Sequence, residues 1–165
     1  MERSSQLTVA NTFTNKRLQN FTQILSKLPY SEPFLFVDSL QAVSEQGAEG
    51  RYTFPEDAFF FKGHFKNKPV TPGAILTEVM AQIGVVCLGI FLLDDSLTAD
   101  IEIAMTATQI DFYKPVFPGE TVIVRSTKDY FRFNKLKCKV EMLNASGELV
   151  CRGTISGMMK LNNHA

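Results

Sequence analysis

Residues 74–93 read AILTEVMAQIGVVCLGIFLL, and where the polar groups fall in this stretch decides the fold. Thr77, Glu78 and Gln82 all lie in its first half, while the run from Ile83 to Leu93 is apolar on every face, the pattern of a helix surrounded by protein. Twenty residues also match a membrane span in length. A carboxylate inside a bilayer costs about 2.5 to 3.5 kcal/mol on insertion scales, so Glu78 favours a buried core helix over a span. Pro72-Gly73 opens the helix, since proline in a first turn gives up an N–H that has no partner there.

The flanking segments supply what wraps this helix. Four strand-like runs follow it, at 101–113, 120–128, 136–143 and 149–158. The third alternates, with Leu136, Cys138, Val140 and Met142 on one face and Lys135, Lys137, Lys139 and Glu141 on the other. Pro118-Gly119 and the NASG run at 144–147 punctuate as turns, which predicts an antiparallel meander. Before the helix, 34–43 (FLFVDSLQAV) predicts a strand that residues 47–50 turn into a second one, and 58–72 reads as loop. Leu18, Phe21, Ile24 and Leu25 have helical spacing within 16–27, a short amphipathic helix stopped before Pro29. Residues 1–15 are polar and aperiodic, a loose arm ahead of a single domain at 16–165. The expected class is α+β: one long buried helix wrapped by a curved antiparallel sheet.

Composition narrows the functions open to this domain. Its 165 residues suit one domain, and 17 basic against 17 acidic side chains remove long-range attraction to nucleic acid or anionic lipid as the main activity. Fourteen Phe with four Tyr and no Trp favour dry, apolar-lined clefts. Cys87, Cys138 and Cys151 are odd in number and widely spaced, so no disulfide framework or zinc site is readable, and a reducing cytoplasm is expected. No secretory h-region is legible near the N-terminus. Gly-rich phosphate loops, GxSxG, HExxH and paired CxxC motifs do not occur, so neither cofactor nor metal is expected.

Two histidines exist, and His164 lies in the terminal NNHA run. His64 sits in KGHFKNKPVTPG, ahead of the helix that carries Glu78. An imidazole titrates near neutrality and burial raises a carboxyl pKa, so the two are a plausible base and acid. On these features alone, the plainer reading is a hydrogen-bonded loop histidine and a satisfied core carboxylate.

The segments LPYSEPFLFVDSL, FFFKGHFKNKPVTPGAILTEVMAQIG and IDFYKPVFPGET resemble the 3-hydroxyacyl-acyl-carrier-protein dehydratases, a family with the hot-dog fold. The sharpest piece is G-H-F, then P-V-x-P-G, then E-x-M-A-Q, with fourteen positions from His64 to Glu78. The resemblance implies that His64 and Glu78 are the catalytic pair, taken from different subunits of a homodimer that can assemble further into a trimer of dimers. It also implies a substrate carried on the phosphopantetheine arm of an acyl carrier protein. Glu rather than Asp on the helix is similar to the branch that does not isomerise its product. Within that reading the Gly73 N–H, at the positive helix end, can bond the thioester carbonyl, and Gln82, one turn beyond Glu78, can hold the carboxyl. Phe59, Phe60, Phe61 and Phe65 could line an acyl tunnel. Lys62, Lys66 and Lys68 lie in a run without acidic residues that suits a phosphate and an acidic partner.

Three places depart from the family pattern: Tyr30-Ser31 stands for His-Arg, Lys66-Asn67 for Pro-Gly, and Thr71 for Met. They leave the acid and base in place and open the shape of the acyl chain, unusual polyene chains included. An acyl thioesterase of the same fold, or a non-catalytic acyl-binding subunit, are the alternatives.

Overall fold

The computed structural model describes residues 20–93 and 101–161; the N-terminal arm, the first part of the 16–27 helix and His164 lie outside the described residues. Residues 20–26 are helical (α1) and bury Ile24. The sheet is built from β1 (Ser39–Ser44), β2 (Gly47–Thr53), β3 (Ile101–Phe112), β4 (Thr121–Arg132), β5 (Lys135–Asn144) and β6 (Leu149–Leu161). The long helix α2 runs Gly73–Leu93.

All pairings are antiparallel and the order across the sheet is β1-β2-β4-β5-β6-β3. This corrects the expected meander in one respect. β4, β5 and β6 follow one another, but β3 pairs with β6 at the far edge, because β2 already occupies the free side of β4. α2 links the two halves by crossing the sheet, so its apolar surface meets the inward faces of several strands. Val122 and Val124 of β4, Leu136, Cys138 and Met142 of β5, and Ile155 and Met159 of β6 are buried with Leu76, Val79, Met80, Ile83 and Leu88 of α2. The membrane-span alternative is settled by this packing, with 72% of the most apolar window buried inside the protein. Close approach is made possible at Gly84, where a Cβ would stand 3.1 Å from Ser126 Cβ and 3.2 Å from Val140 Cγ1.

Two local expectations also need correction. Residues 34–38 are not strand: β1 starts at Ser39, and the Phe36 N–H bonds the Gln82 side chain of α2 instead of a neighbouring strand. The first hairpin turns at Glu45-Gln46, leaving Gly47 and Gly50 inside β2, where Gly50 packs against Ile83 Cγ2 and Leu40 Cδ2. Within α2, Gln82–Val86 form a π-helical turn between two α-helical stretches.

Register places Glu49, Arg125, Glu141, Arg152 and Asp111 opposite one another on β2, β4, β5, β6 and β3. The row alternates in sign across five strands, and Arg125 Nε closes on Glu49 Oε2 at 2.7 Å. Directly opposed charges of unlike sign favour this register over slipped ones. A groove of about 750 Å³, the largest described, runs along this row. Size does not make it the reactive site, since Glu49 and Arg125 there are paired with each other and neither His64 nor Glu78 lines it.

Candidate active site

The loop that carries His64 is anchored by rings. Phe59–Lys62 form a 3₁₀ turn that buries Phe60 and Phe61. Phe60 stands 6.3 Å from Phe54 and 4.6 Å from Phe61 between ring centroids, and the contacts continue through Tyr52 to Phe36. Of the four phenylalanines expected to line a tunnel, Phe60 and Phe61 are therefore core, while Phe59 and Phe65 are exposed. Lys62, Lys66 and Lys68 are exposed on the same loop.

His64 is part-buried, and its Nδ1 lies 2.8 Å from the Val70 carbonyl oxygen. A carbonyl can only accept, so Nδ1 carries the proton and the neutral ring keeps its lone pair on Nε2. The Val70 N–H donates back to His64 O at 2.9 Å, which closes the loop on itself. Phe65, joined to His64 by a cis peptide bond, stacks on the imidazole at 4.0 Å between centroids.

Glu78 sits on α2 one turn after the helix opens, half-buried. Gln82, with none of its surface exposed, has both ends of its amide bonded: Nε2 donates to Glu78 Oε1 at 2.9 Å and to Phe34 O at 3.0 Å, and Oε1 accepts from Phe36 N–H at 2.8 Å. The carboxyl is thus tied through one amide to the backbone of 34–36, which explains why that segment leaves the sheet. Glu78 and Tyr30 line a cavity of about 220 Å³ whose other walls include Val85 and Val86 of α2, Ile103 and Met105 of β3, and Ile155 and Ser156 of β6. Burial first, and then the Glu78 charge, push the Tyr30 phenol well above its usual range, so it stays protonated beside the carboxyl. Tyr30, which the sequence marks as a departure bearing on acyl-chain shape, thus shares a cavity with Glu78; helical spacing cannot relate the two, because they meet only through tertiary packing.

Gly73 begins α2, and its N–H has no acceptor among the described residues. It lines a second cavity, of about 300 Å³, with Thr71, Phe112 and Tyr113. A Cβ on Gly73 would stand 3.1 Å from Phe112 Cζ, so the glycine keeps this mouth open. Gln82 and Glu78 are brought together, and His64 and Phe65 are brought together. Within one chain no hydrogen bond and no described cavity joins the two pairs. Among the described residues there is no group of three or more His, Cys, Asp or Glu able to hold a metal ion. The thiols of Cys87, Cys138 and Cys151 are buried, and desolvation pushes each up to about 12.

Residues 28–156 match the model of the FabA-like domain. The chain belongs to the FabA-like family. It is similar to the 3-hydroxyacyl-[acyl-carrier-protein] dehydratase FabZ of Paramagnetospirillum magneticum, at 32% identity over 141 residues, covering 85% of this chain and 86% of the relative. The FabZ of Ehrlichia chaffeensis is 34% identical over 148 residues, covering 87% and 96%. Among solved structures, the dehydratase heterocomplex ApeI:P from Xenorhabdus doucetiae superposes with a TM-score of 0.70 at 14% identity, over 85% of this chain and 91% of that one, a likeness of fold. The FabA-like match spans both the His64 loop and the Glu78 helix, and it ends inside β6.

Proposed function

We infer that this FabA-like protein is a lyase that removes water from 3-hydroxyacyl thioesters on acyl carrier protein, giving trans-2-enoyl products in fatty acid or related acyl-chain biosynthesis. The observation that carries the reading is the Glu78 carboxyl, clamped by Gln82 in the wall of an apolar cavity, on a chain whose relatives are 3-hydroxyacyl-acyl-carrier-protein dehydratases.

Elimination needs a base for the C2 proton, an acid for the departing C3 hydroxyl and a donor for the enolate oxygen. His64 Nε2 takes the C2 proton, its ring held by the Val70 carbonyl. Glu78 delivers a proton to the departing hydroxyl, which leaves as water. The Gly73 N–H holds the thioester oxygen while charge builds on it. Return of the proton from the imidazolium to the carboxylate resets the site. The acyl tail lies in the apolar cavity beside Glu78, and Phe65 borders the substrate next to His64. Glu at position 78 fits a dehydratase that leaves the double bond where it forms.

His64 of one protomer works with Glu78 of its partner in a homodimer. β3 supports this assembly: it is an edge strand of twelve residues with Ala104 to Gln109 exposed on both faces, and Met105 is 42% exposed. Such an edge is a template for pairing, and a second β3 added there would extend the wall of the Glu78 cavity. A trimer of such dimers and a cytoplasmic location belong to the same reading.

The test is to mix the protein with a 3-hydroxyacyl carrier protein and weigh the product. Loss of one water with the thioester intact supports dehydration. Free carrier thiol would make the protein a thioesterase, and unchanged substrate a silent acyl-binding subunit.

A further inference from the structure

Beyond Glu78, the cavity beside it is walled by side chains without rings, from Ala81 and Val85 of α2 to Met105 of β3 and Gly157 of β6. Tyr30 brings the one ring among the described residues that line it. This residue belongs neither to the sheet nor to α2. Just after it the chain turns, with the Phe34 N–H donating to Ser31 O at 2.8 Å, and Phe34 and Phe36 are then bonded to Gln82. The amide that holds the Glu78 carboxyl therefore also anchors the segment that carries the ring. Besides burial, Glu78 and then Cys87 push the Tyr30 phenol upward, and charge effects fade with distance, so the phenol lies within reach of both. Those two residues are separated by about 13 Å along an α-helix, and a tail leaving Glu78 for Val85 and Val86 runs along this same stretch of α2. The space for that tail is small. A cavity of roughly 150 Å³ takes a benzene, so the 220 Å³ here holds about eight or nine carbons.

We propose that Tyr30 is the length stop of the acyl site: its ring bounds the cavity beside Glu78, so this chain takes 3-hydroxyacyl tails of short to medium length and rejects longer ones. This rests on the dehydratase reading above. The restriction is steric, and the phenol hydroxyl takes no part in the reaction. Length selection follows from packing. An apolar pocket that cannot admit one more methylene loses about 10- to 200-fold in kcat/KM, so the preference falls off over a few carbons rather than gradually. Because the segment of Tyr30 and the Glu78 carboxyl share the Gln82 anchor, the distance from the reacting carbon to the stop is held constant.

The experiment measures kcat/KM of wild type, Tyr30→Ala and Tyr30→Phe on saturated 3-hydroxyacyl carrier proteins of about 4 to about 16 carbons, with circular dichroism on each variant. Wild type is expected to lose about ten-fold or more between about 12 and about 16 carbons. Tyr30→Ala is expected to bring the longest substrate to within about three-fold of the 12-carbon one, while Tyr30→Phe, which keeps the ring, retains the wild-type profile. If the alanine variant does not keep the wild-type spectrum, Tyr30→Leu is measured in its place with the same expectation. A folded ringless variant with the wild-type profile, a phenylalanine variant that shifts as the alanine variant does, or a wild type without length discrimination would overturn the proposal. Wild-type protein that forms no enoyl product on any chain would overturn the dehydratase reading itself, a result distinct from an active wild type whose profile ignores Tyr30.

Discussion

Gln82 Nε2 donates to Glu78 Oε1 across 2.9 Å, and the same buried amide is also bonded to the backbone of Phe34 and Phe36. A glutamine with four bonding options, three of them taken and none of its surface exposed, holds its neighbour in one rotamer. Gln82→Leu should destabilise the fold by about 2 to 4 kcal/mol, because it orphans the Phe36 N–H and the Phe34 carbonyl together. Urea unfolding followed by circular dichroism measures this, and a loss under about 1 kcal/mol would mean the clamp is not structural.

His64→Ala and Glu78→Ala should each lower turnover by about 10² to 10⁴-fold while leaving the melting curve and oligomeric state near wild type. If the pair is shared between protomers, mixing the two inactive variants should restore up to about a quarter of the activity, because about half of the dimers become hybrids and each hybrid holds one intact site of two. Mixed variants that stay inactive after verified subunit exchange would place both groups in one chain.

Ala107→Lys combined with Thr108→Lys puts four like charges at a β3–β3 contact and should shift the protein to monomer with loss of activity. Sedimentation velocity reads the assembly. A dimer of unchanged stability would move the interface away from β3.

Gly153→Ala should fail or melt far below wild type, because a Cβ there would fall on the backbone carbonyl of Gln109 in the neighbouring strand, which cannot move without breaking the β3–β6 ladder. Gly147→Ala, where a Cβ meets nothing within 4 Å but φ is +79°, should cost only about 1 kcal/mol. Comparing the two by thermal melting separates crowding from backbone preference.

Stability should decline as pH rises above about 9. Burial holds Cys87, Cys138 and Cys151 neutral up to about 12, and Tyr52 likewise up to about 12, against ordinary values of 9.0 and 10.0. Between the ordinary and the raised values the unfolded chain loses protons that the folded chain retains, so deprotonation favours unfolding, and the contribution is complete below the ordinary values. The urea midpoint measured from pH 7 to 11 should fall in the upper half of that range. For the same reason iodoacetamide at pH 8 should leave all three thiols unmodified until the protein is unfolded.

Sequence patterning carried the core helix because Glu78 and Gln82 mark its one polar stripe and Pro72-Gly73 its start, both local signals. It carried β5 because four apolar residues alternate with four charged ones. The partner of β3 was not legible, since nothing local tells whether a strand joins its sequence neighbour or closes the sheet from the other side. FLFV at 34–37 has the composition of a strand, and its backbone is claimed by a side chain 46 positions away. The i, i+4 spacing was enough to set Glu78 and Gln82 on one face. Tyr30 read only as a departure bearing on the acyl chain, because a ring and a distant carboxyl can be set on one cavity only when the packing between them is known.

The π-helical turn at Gln82–Val86 adds one residue to what would otherwise be an unbroken α-helix. Since each α-helical residue turns the chain by about 100°, removing one residue from this turn would rotate everything from Cys87 onward by that angle against the sheet. The buried side of Cys87, Leu88 and Ile90 would swing outward while Glu78 stayed where it is. The wide turn thus works as a phase adjuster, letting a front half that turns Glu78 to a cavity and a rear half that packs into the core each face its own target.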